Sequence, residues 1–221
     1  MDALPFTAQL INVFAAVLLL LSFAMLAQRR ILSLVDLLAW QGAALVGSTL
    51  AVAYSTGQQH LYYSAPLPLA LKVILVPLVL HRLIRRLAVR WDTEPLLNIP
   101  ATMIVGLALV VFSFGLAQPI SALASTVTRS TLGIAIAVVM LSFLMMITRR
   151  KAISQVIGFL AMENGLFFAA TSATYGMPMV VELGIALDVL IGVLILGVFM
   201  FQIREQFDSL DIRNLEKLKE D

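Results

Sequence analysis

The stretch RRKAISQVIGFLAMENGLFFAATSATY, residues 149–175, contains the two features that decide the fold. Three basic residues open it, and a mostly apolar run follows. A run of about 20 apolar residues can cross the hydrocarbon of a bilayer as a helix, because each backbone group then finds its partner within the segment. The stretch therefore predicts a membrane-spanning helix with a basic connection at one end.

Six further runs have a similar length and composition, so the sequence predicts an all-α integral membrane protein of about seven transmembrane helices. A composition of 61% hydrophobic and 13% charged residues agrees, because a soluble domain of 221 residues could not hide so much apolar surface. Residues 1–203 form the predicted transmembrane domain, and residues 204–221 form a predicted cytoplasmic polar tail. The predicted spans are approximately 6–27, 31–54, 65–83, 96–117, 130–148, 153–175 and 177–203.

Basic residues follow every second predicted span, and the intervening connections carry only Arg129. Cytoplasmic connections of membrane proteins carry an excess of Lys and Arg. The pattern therefore predicts that the N-terminus lies outside and the C-terminus lies in the cytoplasm. The basic residues mark the sides of a membrane in this way. The net charge of +2 therefore does not indicate nucleic-acid binding. The basic residues concerned are Arg29, Arg30, Arg82, Arg85, Arg86, Arg90, Arg149, Arg150, Lys151 and Arg204.

Apart from His81 and Arg82 at the end of the third run, five acidic or basic side chains lie within the apolar runs. A charge at membrane depth costs at least about 2.5–3.5 kcal/mol on insertion scales, so such residues usually face a partner, a cavity or an ion path. Lys72, Glu163 and Asp188 lie near the middle of their runs and form the candidate pathway for protons or ions. Asp36 and Glu182 lie nearer the ends of theirs. For these two, an interfacial carboxylate is the simpler interpretation.

Lys72 is the predicted counter-charge of Glu163, because a carboxyl buried beside an ammonium is poised to exchange a proton. The alternative is a static ion pair that only fixes helix packing. Pro77 leaves the carbonyl of Val73 without its helical donor, which predicts a kinked or unwound helix beside Lys72. Gln155 and Asn164 supply further polar groups on the predicted sixth span.

A faint internal repeat links two parts of the chain. Arg29-Arg30, with Ala39-Trp40-Gln41-Gly42 after it, echoes Arg149-Arg150 with Ala161-Met162-Glu163-Asn164. Both segments run outward from the predicted cytoplasmic side. A parallel duplication would make Gln41 the neutral counterpart of Glu163.

The sequence contains few residues that could bind a redox cofactor. It contains no cysteine, so no thiolate is present to hold an iron–sulfur cluster. Its two histidines, His60 and His81, lie on opposite sides of the predicted third helix, which would leave a haem or metal site poorly supplied. We therefore predict no cofactor, metal or catalytic residue in this chain.

Four segments resemble the E membrane component of the formate hydrogenlyase-type hydrogenases (hydrogenase-4), and the run Met162-Glu163-Asn164-Gly165 is the most telling part. The last two predicted helices also resemble helices of the K subunit of complex I, through Gly158, Asn164 and the run Asp188-Val189-Leu190-Ile191-Gly192. Glu163 stands one helical turn later than the acidic residue of that subunit. The four segments are Lys72–Leu78, Arg149–Gly165, Glu182–Asp188 and Leu210–Leu215.

The resemblance implies a membrane-arm subunit of a complex I-related NiFe hydrogenase in a bacterial or archaeal cytoplasmic (inner) membrane. The implied partners are antiporter-like membrane subunits, the membrane anchor subunit of the hydrogenase and, through them, the soluble NiFe arm. The implied role is proton or sodium translocation through Lys72, Glu163 and Asp188. Catalysis would then belong to other chains of an oxidoreductase complex.

Two alternatives would use the same residues. A subunit of a multi-subunit cation/proton antiporter would exchange sodium for protons without any hydrogenase. A non-conducting scaffold would use the intramembrane charges only to dock neighbouring helices. A small secondary transporter acting alone is less favoured, because neither clear inverted repeats nor a solute pocket is evident in the sequence.

Overall fold

The computed structural model describes residues 6–56, 69–87, 97–121 and 126–174, with residues 190 and 197. All regular elements in these ranges are helices. A π-helical segment precedes α3 without a break. The elements are α1 (Phe6–Ala27), α2 (Ile31–Thr56), the π-helical segment (Leu69–Leu75), α3 (Val76–Leu87), α4 (Ile99–Ser121), α5 (Thr126–Thr148) and α6 (Ala152–Thr174).

Five of the described helices, α1, α2, α4, α5 and α6, are long and apolar enough to cross a membrane. They correspond to five of the seven predicted spans, with ends that differ by a few residues. The chain is therefore a multi-pass, all-helical membrane protein in the part that the structure describes. The third predicted span is described from residue 69 onward and is not among the five. The seventh, with Glu182 and Asp188, lies outside the described residues apart from positions 190 and 197, as does the tail.

Two helical hairpins form the centre of the molecule. Connections of three residues, 28–30 and 149–151, join α1 to α2 and α5 to α6. Helix α1 packs against α5 and α2 packs against α6, which closes a four-helix bundle. Helix α4 lies mainly against α5, and α3 lies against α2.

Close contact between backbones holds the bundle together. In lipid, apolar helices gain little from hydrophobic burial against one another, so packing and small residues decide how they associate. Gly165 of α6 shows this, because a methyl group in place of its hydrogen would lie 2.9 Å from Val138 Cγ1 of α5. Leu18, Leu45 and Phe168 are fully buried at the same level of the bundle.

Arg149 closes one end of the bundle and is only 3% exposed. Its Nη2 donates to the carbonyl oxygens of Leu26 and Gln28 at 2.9 and 2.7 Å, and to that of Met25 at 3.3 Å. The last carbonyls of a helix have no donors within the helix, and a cation there also complements the helix dipole. The residue predicted as a marker of the membrane side therefore also caps α1.

The same contact shows that connections 28–30 and 149–151 lie at one end of the molecule. Helix α3 runs antiparallel to α2, because Asp36 lies beside His81 while Gly42, further along α2, lies against Lys72. Helix α3 therefore returns to the end that carries Arg29 and Arg30. This grouping agrees with the predicted alternation of basic connections. The side of the membrane that this basic end faces stays a prediction.

Candidate functional site

A buried ion pair joins the π-helical segment to α6. The ammonium of Lys72 donates a hydrogen bond to Glu163 Oε1, and the two residues are 7% and 8% exposed. The pairing expected from the sequence is thus present in the structure. Its role in ion transfer stays a prediction.

The irregular backbone around Lys72 accompanies a proline and a glycine. Pro77 has no N–H to donate to the carbonyl of Val73, and the preceding residues are π-helical. A π-helical turn widens a helix and is frequent at functional sites. On the facing helix, a Cβ at Gly42 would lie in ordinary van der Waals contact, 3.4 Å from Val73 Cγ2 and 3.5 Å from Lys72 Cβ, which shows how closely α2 approaches the π-helical segment.

Phe167 lies one helical turn beyond Glu163 and contacts the same cation. Lys72 Nζ is 4.9 Å from the centroid of its ring. The face of an aromatic ring carries partial negative charge, so it attracts an ammonium at this distance. Glu163 and Phe167 together hold the cation of Lys72 against α6.

A chain of hydrogen bonds runs from the neighbouring Asn164 across the bundle. Asn164 Nδ2 donates to Gln41 Oε1 at 3.2 Å, and Gln41 Nε2 donates to Ser22 Oγ at 3.0 Å. Ser22 in turn donates to the carbonyl of Leu18 at 2.9 Å. All three side chains are buried, and they link α6, α2 and α1. Buried polar groups are costly unless they are hydrogen-bonded, and this chain satisfies several at once.

A small cavity lies between the ion pair and this chain. Lys72, Glu163 and Asn164 line it together with Leu38, Val76 and Leu160. About 10 Å³ of it is available to the centre of a water molecule, which is close to the space that one water needs. The cavity can therefore hold about one water among three polar groups.

The other residues predicted for the pathway lie away from the cavity or outside the residues that the structure describes. Gln155 donates to the carbonyl of Arg149 at 3.0 Å, so it stabilises the connection at the basic end rather than lining the cavity. Asp36 is exposed and lies 3.3 Å from His81 Nε2. In the ranges described, no group of three or more His, Asp or Glu residues could hold a metal ion. Glu182 and Asp188 lie outside these ranges.

Sequence reasoning did not single out Ser22. A signal for it exists, since Leu21-Ser22-Phe23 ahead of Arg29-Arg30 matches Leu141-Ser142-Phe143 ahead of Arg149-Arg150, with a spacing of 120 residues in each case. Gln41 and Glu163 are 122 residues apart, so the two matches belong to one repeat if the second hairpin carries two additional residues after Arg150. Ser22 and Ser142 both donate to the carbonyl four residues earlier.

Comparisons with known proteins found relatives in two groups. The uncharacterised protein Rv0085 of Mycobacterium tuberculosis is 33% identical over 212 residues, which cover 96% of each chain. Hydrogenase-4 component E of Escherichia coli K12 is 29% identical over 149 residues, which cover 67% of this chain and 68% of the relative. The protein of that name from Shigella flexneri shows the same identity and coverage. No family model matches the chain, and no solved structure matches it.

Proposed function

We propose that the chain is a member of the hydrogenase-4 component E family, with which it shares 29% identity over 67% of its length, and a membrane subunit of a multisubunit hydrogenase complex that relays protons through Lys72 and Glu163. The observation that carries the proposal is the buried ion pair beside a cavity that can hold about one water. Sodium is the alternative ion. The chain itself would hold no redox cofactor.

The physical basis is the cost of leaving a charge alone in a medium of low dielectric constant. While Lys72 and Glu163 remain in contact, each charge compensates the other. When a change elsewhere in the complex draws the ammonium away, the carboxylate is left uncompensated and binds a proton. When the ammonium returns, Glu163 releases that proton. Opening and closing of one pair thereby converts a conformational change into proton uptake and release.

The cavity favours this relay over a scaffold. An ion pair that served only to dock helices would be most stable with no cavity beside it, because atoms that line a void lose van der Waals contacts. Here the free volume adjoins Glu163 and Asn164. A water in it would have polar partners and would give the proton a route away from the carboxyl.

The remaining parts of the proposal concern chains and residues beyond the described site. Asp188, on the predicted seventh span, would be the next proton carrier. Antiporter-like membrane subunits, the membrane anchor subunit and the soluble NiFe arm would be the partners. The complex would lie in a bacterial or archaeal cytoplasmic membrane.

Replacement of Glu163 by Gln tests the relay. We expect the intact complex with Glu163→Gln to assemble and to transfer electrons to a soluble dye, but to translocate no protons in inverted membrane vesicles. Glu163→Asp keeps a carboxyl group and should retain part of the translocation. Proton pumping at the normal rate in Glu163→Gln would show that the relay assignment is wrong.

Purification in mild detergent tests the identity of the complex. Recovery of a NiFe protein with this chain would support a hydrogenase. Recovery of antiporter chains alone would instead favour the cation/proton antiporter, which would use the same ion pair. Purification of this chain by itself would contradict both.

A further inference from the structure

A second titratable pair lies at the contact between α2 and α3. His81 Nε2 is 3.3 Å from Asp36 Oδ1, and His81 Nδ1 is 3.0 Å from the carbonyl oxygen of Pro77. The side chains of His81 and Asp36 are 29% and 63% exposed. Unlike the interior ion pair, these groups are open at the surface of the chain.

The partners of this imidazole are both oxygens. The carbonyl oxygen of Pro77 only accepts hydrogen bonds, so His81 Nδ1 carries the proton when the two are hydrogen-bonded. His81 Nε2 then faces the carboxylate of Asp36, and a proton on that nitrogen would lie between the two groups. The geometry therefore offers a position for an exchangeable proton at the surface of the chain.

The pair lies on the same two helices as the interior cavity. Leu38, which lines the cavity, follows Asp36 by two residues, and Val76, which also lines it, precedes His81 by five. At 1.5 Å per residue, these intervals are about 3 and about 7.5 Å along the helix axes. Leu38, Val76 and Leu80 pack in one buried apolar cluster along this contact, so about three hydrogen-bonded waters would have to enter between α2 and α3 during the transfer.

The charged groups nearby place the pair at the basic end. Arg82 and Arg85 follow His81 on α3 and are exposed. On α2, Arg30 precedes Asp36 by six residues and is also exposed. The pair thus lies between the basic surface and the ion pair in the interior.

We infer that Asp36 and His81 form a proton-exchange site that takes protons from water at the basic end and passes them along the contact between α2 and α3 to Glu163. In each transfer, one proton leaves the pair and one proton from water replaces it, so the pair returns to its starting state. This inference rests on the proposed function of Lys72 and Glu163. An imidazole suits the task, because histidine is the side chain that ordinarily exchanges protons near neutral pH.

The test measures proton translocation by the intact complex in vesicles as a function of pH. We expect His81→Gln and Asp36→Asn each to lower the rate about tenfold at neutral pH, while assembly and electron transfer to a soluble dye remain normal. The rate of His81→Gln should also fall more steeply than that of the wild type as pH rises, because protons must then come directly from the bulk. Loss of packing alone would not change the pH profile. The control is Arg82→Gln, which alters the adjacent exposed charge and should keep the wild-type rate and profile.

Glu163→Gln, measured in parallel, separates the two proposals. If Glu163→Gln abolishes translocation while His81→Gln and Asp36→Asn keep the wild-type rate and pH profile, only the exchange site is wrong. If Glu163→Gln translocates normally, the proposed function itself fails. Should His81→Gln not assemble, Asp36→Asn decides the question, because its exposed side chain can be replaced without emptying the core.

Discussion

Three kinds of polar side chain meet where the π-helical segment approaches α2 and α6. Lys72 and Glu163 supply opposite charges, and Asn164 adds an amide that Gln41 holds in place. Each alone would be costly in a low-dielectric interior. Together they satisfy one another and still leave room for about one water, which is the property that the proposed relay requires.

Stability measurements can show how strongly the two charges depend on each other. Lys72→Met leaves the carboxylate of Glu163 buried without its counter-charge, and we expect a loss of about 3–5 kcal/mol in the free energy of unfolding. The double variant Lys72→Met/Glu163→Gln removes both charges and should recover most of that loss. Thermal unfolding of the purified complex in detergent measures both. If the double variant were as unstable as Lys72→Met, the instability of Lys72→Met would not come from the unpaired charge of Glu163.

Among the elements, the two hairpins have matching construction. Helices α1 and α5 both end at the basic end, and α2 and α6 both begin there. Thr49 and Thr171 occupy corresponding positions and donate to the carbonyls of Leu45 and Phe167, each four residues earlier. These correspondences support the parallel repeat that the sequence suggested. In that repeat Gln41 occupies the position of Glu163, and only the second hairpin carries the charge.

Arg149 and Arg29 are basic residues at the same end of the molecule and allow a matched comparison at the end of α1. Arg149→Gln removes the donor to three carbonyl oxygens of α1 and its connection, and we expect a loss of about 3 kcal/mol in the free energy of unfolding. Arg29→Gln makes the same change in charge at an exposed position of the neighbouring connection and should cost much less. Chemical denaturation followed by helical circular dichroism compares the two. Equal losses would show that charge, rather than the cap on α1, is what matters.

For the molecule as a whole, the path of the chain constrains the number of crossings. Helices α2, α4 and α5 separate the connections 28–30 and 149–151, which lie at the same end. Three crossings would place those connections at opposite ends. The π-helical segment and α3, residues 69–87, run antiparallel to α2 and supply the fourth passage. This supports the predicted third span, although its described part is more polar than the five long helices.

Labelling of single cysteines tests the orientation, and the absence of native cysteine makes the experiment direct. We expect Arg29→Cys and Leu97→Cys to react with a membrane-impermeant maleimide only from the cytoplasmic side, because both lie at the basic end. Ser125→Cys, in the connection between α4 and α5, should react only from outside. Arg29→Cys and Leu97→Cys labelled from opposite sides would contradict the path described above. All three labelled from the reversed sides would contradict the predicted orientation alone.

The sequence by itself determined the class of the protein, the approximate helices and the residues worth examining. Apolar length is a local property, and so is the charge of each connection, which is why the ends of α1 and the burial of Glu163 could be anticipated. Even the irregular helix beside Lys72 could be expected, because a proline cannot donate a hydrogen bond wherever it is placed.

Only the tertiary structure decided which side chains meet. Gln41 contacts Asn164, Arg149 caps α1, and Asp36 pairs with His81. The partners are far apart in the sequence, and hydrophobic periodicity does not predict contacts between distant residues. In a bilayer, lipid solvates every apolar face about as well as another helix does, so hydropathy does not select neighbours. The fit of small residues and the pairing of polar groups make that choice, and both depend on the three-dimensional register of the helices.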